Sequence, residues 1–235
     1  MVESGDMVLK LNKSLYRLKN SPLAWFKHLK KELEEKGFQA HAQEPCLFIK
    51  DNIICLGYVD DCLFFRKDMA TIDELIKDLQ NPQKKTLYAL EEEADVSAFL
   101  GIKIKNNDDG TMTLSQPNLI NKVLEACGMT DCHAKATPAN VAPLGTDISG
   151  PPRRETWNYA SVIGMLLYIC ANSRPDITFA VHQCAQFTHN PKQSHEEAVK
   201  RICRYLKGTA DKGLIFTPNI DLGLTCYVDA DFAGL

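Results

Sequence analysis

The sequence predicts an α+β protein in which an antiparallel sheet with helices on one face is followed by a helical region. Two apolar runs flank the pair Asp60-Asp61 and predict a β-hairpin, because runs rich in β-branched and aromatic residues are typical of strands. A second hairpin is predicted around the turn signal Asp109-Gly110. Three apolar segments with helical spacing between residues 157 and 208 predict the helical region.

The composition is that of an ordinary globular protein. The 235 residues are 45% hydrophobic and 24% charged, which suits one or two domains with a substantial core. No apolar run reaches the roughly eighteen residues of a membrane span, and the N-terminus does not resemble a signal peptide. The nine cysteines lie mostly in apolar runs without a Cys-x-x-Cys pair, which indicates reduced core thiols of an intracellular protein rather than zinc ligands.

The net charge of −3 is unevenly distributed along the chain. Residues 1–50 and 192–213 are basic on balance, whereas residues 51–114 are acidic. This pattern would suit a phosphate backbone held around a metal site. Ordinary solvated faces explain it about as well.

The first half of the chain predicts strands around one helix. A short strand over 7–11 and a polar, basic segment over 12–20 precede a helix that begins with Ser21 as its N-cap and ends at Gly37. Strands are predicted over 46–50 and 53–56. The helix carries one apolar stripe, best explained by core packing: Trp25, Phe26, Leu29 and Leu33.

The pair Asp60-Asp61 is expected at the tip of the hairpin that follows. Tight hairpin turns favour Asn-Gly or Asp-Gly, and two adjacent carboxylates repel one another, so a compensating cation is expected. Hard Mg²⁺ takes carboxylate oxygens. The alternative is a solvated acidic turn, since Asp is a common turn residue.

Beyond this pair, the sequence predicts a helix over 69–79, the Asp109-Gly110 hairpin, and a helix that Ser115 caps and Gly128 ends. Residues 129–155 contain four prolines without apolar periodicity, which is typical of a linker or extended arm. Three helices follow. On the last of them, one side carries the cations Lys200, Arg204 and Lys207.

Two stretches carry a resemblance to a known family. Tyr58-Val59-Asp60-Asp61 resembles the catalytic box of reverse transcriptases. Residues 11–25, LNKSLYRLKNSPLAW, resemble the copia-type signature leucine-x-lysine-serine-leucine-tyrosine-glycine-leucine-lysine-glutamine-serine-proline-arginine-x-tryptophan. The chain is therefore similar to the reverse transcriptase region of a copia-type (Ty/copia) retrotransposon Pol polyprotein.

Three residues depart from that signature. Arg17 stands where the family has Gly, and a Gly position often needs a backbone conformation that other residues resist. Asn20 replaces Gln. Leu23 replaces Arg, which removes a planar five-donor group suited to phosphate.

Further motifs of the family follow in order. Phe99-Leu100-Gly101 resembles the start of the strand that positions the primer end. Residues 159–168, 174–177 and 204–209 resemble motifs of the thumb and connection. Near the C-terminus, Asp229 matches the first metal-binding carboxylate of the family's ribonuclease H domain.

The resemblance implies RNA-directed DNA synthesis, in which two Mg²⁺ ions clamp the primer hydroxyl and the leaving pyrophosphate. Asp60 and Asp61 would be the catalytic and metal-binding residues, with Asp60 the principal ligand. Lys200, Arg204 and Lys207 would track phosphates, unless they form only a solvated face. The residues beside the incoming nucleotide and template would be Lys13, Tyr16, Lys19 and Asn20.

The implied partners are an RNA template, a DNA primer and the remainder of the Pol polyprotein. The implied location is the cytoplasm, in a virus-like particle, and the nucleus. Three segments are expected: partial fingers and palm over 1–115, a helical thumb and connection over 116–211, and the start of a ribonuclease H-like domain over 212–235.

No residue matches the family's first polymerase carboxylate, which lies upstream of the strand predicted over 7–11. We therefore expect the Asp60-Asp61 site to be incomplete and this chain alone to be inactive, since two-metal sites need several carboxylates. Two alternatives stay open: a non-catalytic fragment that binds nucleic acid, and an inert transposon relic.

Overall fold

The computed structural model describes residues 11–12, 14–15, 17–59, 61–66, 69–80, 91, 93, 96–155 and 157–218. It confirms the α+β class, with two four-stranded antiparallel sheets and six α-helices in the described part of the chain. The chain divides into two compact units, Met1–Glu92 and Glu93–Leu235. This division precedes the second hairpin, whereas the sequence predicted a boundary after residue 115.

In its described residues, the first unit contains one sheet of strand order β1-β2-β3-β4 and two helices. Along the chain, the elements are α1 (Ser21–Glu35), β1 (Gln39–Ala40), β2 (Leu47–Lys50), β3 (Ile53–Tyr58), β4 (Asp61–Phe65) and α2 (Met69–Leu79). The strands predicted over 46–50 and 53–56 are both present, and Lys50 pairs with Ile53 across their two-residue turn.

The core of this unit lies on one face of the sheet. Phe48 pairs with Cys55, and both side chains are fully buried together with Leu33 of α1. Leu75 of α2 packs against the same cluster. Alternate residues such as Ile54 point to the other, more exposed face, as the period of two in a strand requires.

The second unit contains a sheet of order β5-β6-β7-β8 and four helices. Its elements are β5 (Ala98–Phe99), β6 (Ile102–Asn106), β7 (Met112–Ser115), α3 (Pro117–Ala126), α4 (Tyr159–Asn172), a 3₁₀ turn (Pro175–Ile177), α5 (Thr178–Ala185), α6 (Gln193–Lys207) and β8 (Leu214–Phe216). β8 belongs to the predicted ribonuclease H-like segment, yet it pairs with β7.

The core of the second unit lies among its four helices. Ile120, Leu166, Ile177, Ile202 and Leu206 are all fully buried there. No helix in the described part of the chain is both long and apolar enough to cross a membrane.

The segment 129–155 forms no helix or strand and is held against these helices by hydrogen bonds. The backbone N–H of Leu144 donates to Gln183, and the Nε2 of His195 lies 2.8 Å from the carbonyl oxygen of Gly145. His195 is fully buried and stacks on Phe187. The predicted arm is thus docked against the helices at Leu144 and Gly145.

Two predicted helix caps are wrong by one residue. Ser21 and Ser115 were expected as N-caps, but the caps are Asn20 and Gln116, and neither makes a side-chain capping bond. In each helix a proline occupies the first or second position. Because proline has no backbone N–H, one fewer donor at the start of the helix needs a capping partner. The hydroxyl of Ser21 donates instead to the carbonyl of Leu15.

Candidate active site

The hairpin β3–β4 brings the predicted catalytic segment to one end of the first sheet. Tyr58 pairs with Asp61, and Gly57 pairs with Cys62. Asp61 is therefore the first residue of β4 rather than a turn residue, which shifts the expected tip by one position. Its side chain is exposed and forms no hydrogen bond or ion pair with a described residue. Asp60 lies outside the described residues.

Val59, which precedes Asp60, has a strained backbone. Its φ is 54°, a left-handed value that is a genuine outlier for a β-branched residue. The indole N–H of Trp25 donates a hydrogen bond to the carbonyl of Val59. Because such strain persists only where surrounding structure enforces it, we attribute this conformation in part to the bond from α1.

The interior beneath the hairpin contains two neighbouring thiols. The Cys55 thiol hydrogen-bonds to the sulfur of Cys62 on the adjacent strand, and that bond together with burial raises the pKa of Cys55. The same bond lowers the pKa of Cys62. Cys55 is therefore a neutral, buried free thiol, which agrees with the reduced core thiols that the apolar surroundings of the cysteines predicted.

The basic segment before α1 is also in the first unit. Lys19 and Asn20 are exposed, and Asn20 is the N-cap of the helix that carries Trp25. Arg17 has a φ of 69°, which is the left-handed conformation that glycine adopts without strain. The expectation that this position needs a special backbone is confirmed. Lys13 and Tyr16 lie outside the described residues.

A groove of about 500 Å³ lies at the other end of the first sheet. Lys50 and Ile53, which adjoin the β2–β3 turn, form part of its lining, together with Lys36 and Asp78. Lys36 and Asp78 form an ion pair. Because β3 runs from Ile53 to Tyr58, this groove is separated from Asp61 by the length of the strand.

In the second unit, Leu100 and Gly101 form the two-residue turn between β5 and β6. Both have left-handed backbones, with φ values of 52° and 75°. Phe99 pairs with Ile102 directly behind the turn. The hydroxyl of Tyr168, on α4, donates to the carbonyl of Leu100 at 2.7 Å.

The three cations of α6 have different surroundings. The Nζ of Lys200 lies 2.9 Å from carboxylate oxygens of both Glu155 and Glu196. Burial disfavours its charge, but the bonds to these carboxylates outweigh burial and raise its pKa. Arg204 is half-buried and Lys207 exposed, and neither is paired with a described carboxylate. Lys200 is thus committed to an internal ion-pair cluster.

Two of the family-like motifs contact one another. Arg174 is buried, and its guanidinium donates to both carboxylate oxygens of Asp176 at 2.9 and 2.8 Å. It also donates to the carbonyl and the hydroxyl of Thr209, at 2.8 and 2.7 Å. The hydroxyl of Tyr205 donates to Asp176. The segments around residues 174–177 and 204–209 therefore form one hydrogen-bonded cluster.

Residues 2–141, more than half of the chain, match the family described as reverse transcriptase (RNA-dependent DNA polymerase).

The chain belongs to the reverse transcriptase family.

Curated relatives agree with the copia-type resemblance, which is confirmed. The chain is 33% identical to the retrovirus-related Pol polyprotein from transposon RE2 of Arabidopsis thaliana, over 97% of this chain and 16% of that protein. It is 35% identical to the corresponding Pol polyprotein from transposon TNT 1-94 of Nicotiana tabacum, over 97% of this chain and 18% of that protein. The chain thus spans under a fifth of the length of these reverse transcriptase relatives.

A shorter relative is similar to most of the chain. An uncharacterized mitochondrial protein of Arabidopsis thaliana is 32% identical over 76% of this chain and 71% of its own length. No solved structure matches the chain.

The chemistry of a carboxylate suits a hard divalent cation, which is the kind of ion that two-metal nucleotidyl transfer requires. Asp61 offers an exposed carboxylate that no described residue engages, and Asp60 is adjacent to it in sequence. Within the described ranges, no group of three or more His, Cys, Asp or Glu side chains is arranged to hold a metal. Asp229 lies outside those ranges, so the ribonuclease H-like carboxylate stays a prediction.

Sequence reasoning did not predict two contacts of this reverse transcriptase chain. Trp25 was expected to pack in the core, and Tyr168 was noted only as part of a motif. Both use a side-chain donor to hold a turn carbonyl, across sequence separations of 34 and 68 residues. Trp25 and Tyr168 both belong to motifs that resemble those of the family, and this was the signal that could have indicated a role beyond packing.

Proposed function

We propose that this chain carries the polymerase hairpin of a copia-type reverse transcriptase and acts in RNA-directed DNA synthesis as part of a Pol polyprotein. The observation that supports this most strongly is Asp61 at the end of the β3–β4 hairpin, two positions after the strained Val59. Its exposed side chain is paired with no described residue. A merely solvated acidic turn would need neither the strain nor the bond from Trp25.

In this proposal, Asp60 and Asp61 would hold the catalytic metal ions, with Asp60 the principal ligand. When bound, two Mg²⁺ ions would activate the primer 3′ hydroxyl and stabilise the leaving pyrophosphate. The protein's own contribution is to hold the two carboxylates at the end of a sheet whose other face packs in the core through residues such as Phe48 and Cys55. Trp25 adds a direct constraint on the backbone next to Asp60.

The remaining functional residues are proposed to contact the nucleic acid. Lys13, Tyr16, Lys19 and Asn20 would lie beside the nucleotide and template, and Phe99-Leu100-Gly101 would position the primer end. Arg204 and Lys207 would contact phosphates, since Lys200 is engaged by two carboxylates. The partners are an RNA template and a DNA primer, and the location is the cytoplasm, in a virus-like particle, and the nucleus.

We further propose that the isolated chain does not extend primers. Two-metal sites draw on several carboxylates, and Asp60-Asp61 supplies only one adjacent pair. The chain would instead bind an RNA–DNA hybrid in a manner that depends on Mg²⁺.

The test is a titration of a hybrid carrying a recessed DNA 3′ end, with and without Mg²⁺, on the full chain and on Asp60→Asn. We expect Mg²⁺ to tighten binding several-fold for the unchanged chain and not for the variant. An affinity for the hybrid that changes neither with Mg²⁺ nor with Asp60→Asn would indicate a non-catalytic nucleic-acid-binding fragment. Undetectable binding would indicate an inert relic. Primer extension assayed in parallel should be absent.

A further inference from the structure

The C-terminal end of α4 contacts the second sheet region at three places. Tyr168 bonds to the β5–β6 turn at Leu100, as described above. The hydroxyl of Ser173 donates to the Oε1 of Gln116 at 2.8 Å, at the junction of β7 and α3. Arg174 holds Thr209, ahead of β8. One helix end thus fixes the connections of several strands.

The first two of these contacts lie at the same end of the sheet. Lys103 pairs with Ser115, so the end of β7 lies beside the start of β6 and therefore beside the Leu100-Gly101 turn. Gln116 and Ser173 are both buried, which makes their bond a fixed internal point. Tyr168 extends this support to the turn itself.

Tyr168 is not explained by packing. Its side chain is 40% exposed, whereas the residues that place α4 in the core are buried. Its neighbours on the exposed side of the helix are small: Ser161, Gly164 and Ala171. The polar group of the Tyr168 side chain is its hydroxyl, which donates a hydrogen bond to the Leu100 carbonyl.

The turn needs an external support. Leu100 is a non-glycine residue in the left-handed region, a backbone conformation that is unfavourable for a residue with a Cβ atom. β5 is only two residues long, so few backbone bonds hold the turn from within. A hydrogen bond from a rigid helix to the strained residue favours one turn geometry over its alternatives.

We propose that Tyr168 is a positioning residue: its hydroxyl fixes the Leu100-Gly101 turn so that the turn can receive the primer 3′ end. This inference rests on the proposed function, which assigns primer positioning to Phe99-Leu100-Gly101. Tyr168 acts through the turn and does not itself touch the reacting atoms.

The test compares two RNA–DNA hybrids of equal length, one with a recessed DNA 3′ end and one blunt. The unchanged full chain should prefer the recessed end. Tyr168→Phe removes only the hydroxyl and should reduce that preference about fivefold, the equivalent of one ordinary hydrogen bond, while leaving affinity for the blunt hybrid unchanged. A merely structural role would weaken both affinities together.

Tyr205→Phe is the matched control. It also removes a hydroxyl that donates at 2.7 Å, but to Asp176 rather than to the turn. It should retain the preference for the recessed end. Gly101→Ala reaches the turn by a second route, because the φ of 75° strains any other residue, and it should also reduce the preference.

Each outcome has a distinct meaning. A preference that survives Tyr168→Phe, or a loss shared equally by the blunt hybrid, overturns the positioning role while leaving the proposed function intact. An unchanged chain that binds both hybrids equally overturns the primer assignment of the turn, and with it this inference.

Discussion

The indole of Trp25 in α1 donates its N–H to the carbonyl of Val59, the left-handed residue directly before Asp60. This bond joins the end of the copia-like signature to the β3–β4 hairpin within the first unit. It also explains why a β-branched residue can hold a φ of 54° at this position, since the strain is opposed by a fixed donor. The signature over residues 11–25 and the hairpin motif Tyr58-Val59-Asp60-Asp61 are separate in sequence but are joined by this hydrogen bond.

Trp25→Phe should loosen this hairpin. The substitution keeps the aromatic ring and removes the indole N–H, so we expect a loss of about 1 kcal/mol in the free energy of unfolding. Hydrogen exchange at the amides of Gly57 and Cys62 should become faster. Trp157→Phe is the control, because the indole N–H of Trp157 has no hydrogen-bond partner among the described residues. If both variants exchange alike at the hairpin, the Trp25 bond does not constrain it.

Arg17→Gly should stabilise the first unit. A left-handed φ of 69° costs a non-glycine residue roughly 1–2 kcal/mol, and the greater chain entropy of glycine offsets part of that gain. We expect a net gain of about 0.5 kcal/mol in urea unfolding. Arg17→Ala retains the strain and removes the side chain, so it separates the two effects. If Arg17→Gly has no greater free energy of unfolding than Arg17→Ala, the left-handed backbone at residue 17 does not destabilise the protein.

Glu196 should make the second unit sensitive to acid. Burial disfavours its charged carboxylate, but hydrogen bonds from Lys200 and from the backbone N–H groups of Glu155 and Arg154 outweigh burial and lower its pKa. Because the folded pKa lies below the unfolded one, this stabilisation is present above the ordinary Glu pKa of 4.5 and is lost as pH falls through the folded value.

Glu196→Gln should therefore flatten the loss of stability between pH 6 and roughly pH 3. It should also cost about 3 kcal/mol at neutral pH, because Lys200 and Arg153 lose a buried partner. Urea unfolding at several pH values measures both effects. Glu197→Gln, at an exposed neighbouring position, should leave the pH profile unchanged. An identical acid dependence in the Glu196 variant and the unchanged chain would contradict this account.

The cations of α6 should contribute unequally to nucleic-acid binding. Changing Arg204 and Lys207 together to Ala should flatten the log–log salt dependence of hybrid binding by about two units, one for each lost phosphate contact. Lys200→Ala should change the slope little, because its ammonium group is already paired with Glu155 and Glu196. Titrations at several salt concentrations check this. If the double variant and the unchanged chain show the same salt dependence, this side of α6 is only a solvated face and does not contact phosphates.

Local pattern predicted much of the fold. The apolar runs around Asp51 and the Asp109-Gly110 signal located both hairpins, because alternation and turn chemistry are properties of neighbouring residues. The end of α6 before Gly208 was also predicted. The predicted tip of the β3–β4 hairpin was wrong by one residue. Val59 is an unfavourable turn residue, and the tertiary bond from Trp25 helps to hold it in the turn.

The contacts that build the candidate site were less predictable. The bonds from Trp25 to Val59 and from Tyr168 to Leu100 join residues far apart in sequence, and no local pattern encodes them. The pairing of Lys200 with Glu155 likewise requires the segment 129–155 to be docked against α6. Helical spacing predicts that Lys200, Arg204 and Lys207 share one side of α6. It does not show that Glu155, from another part of the chain, pairs with Lys200.

The measurement that tests the central claim most directly is paramagnetic line broadening by Mn²⁺, used as a probe for Mg²⁺, on the full chain bound to an RNA–DNA hybrid. We expect the amides of Gly57 and Cys62 to broaden first, and this effect to disappear in the double variant Asp60→Asn, Asp61→Asn. The adjacent pair Asp108-Asp109 is an internal control, because it is also an acidic hairpin connection and Asp109 is already engaged by Thr111. Broadening that is equal at the two acidic pairs, or that survives the double variant, would contradict the assignment of the β3–β4 hairpin as the polymerase metal site.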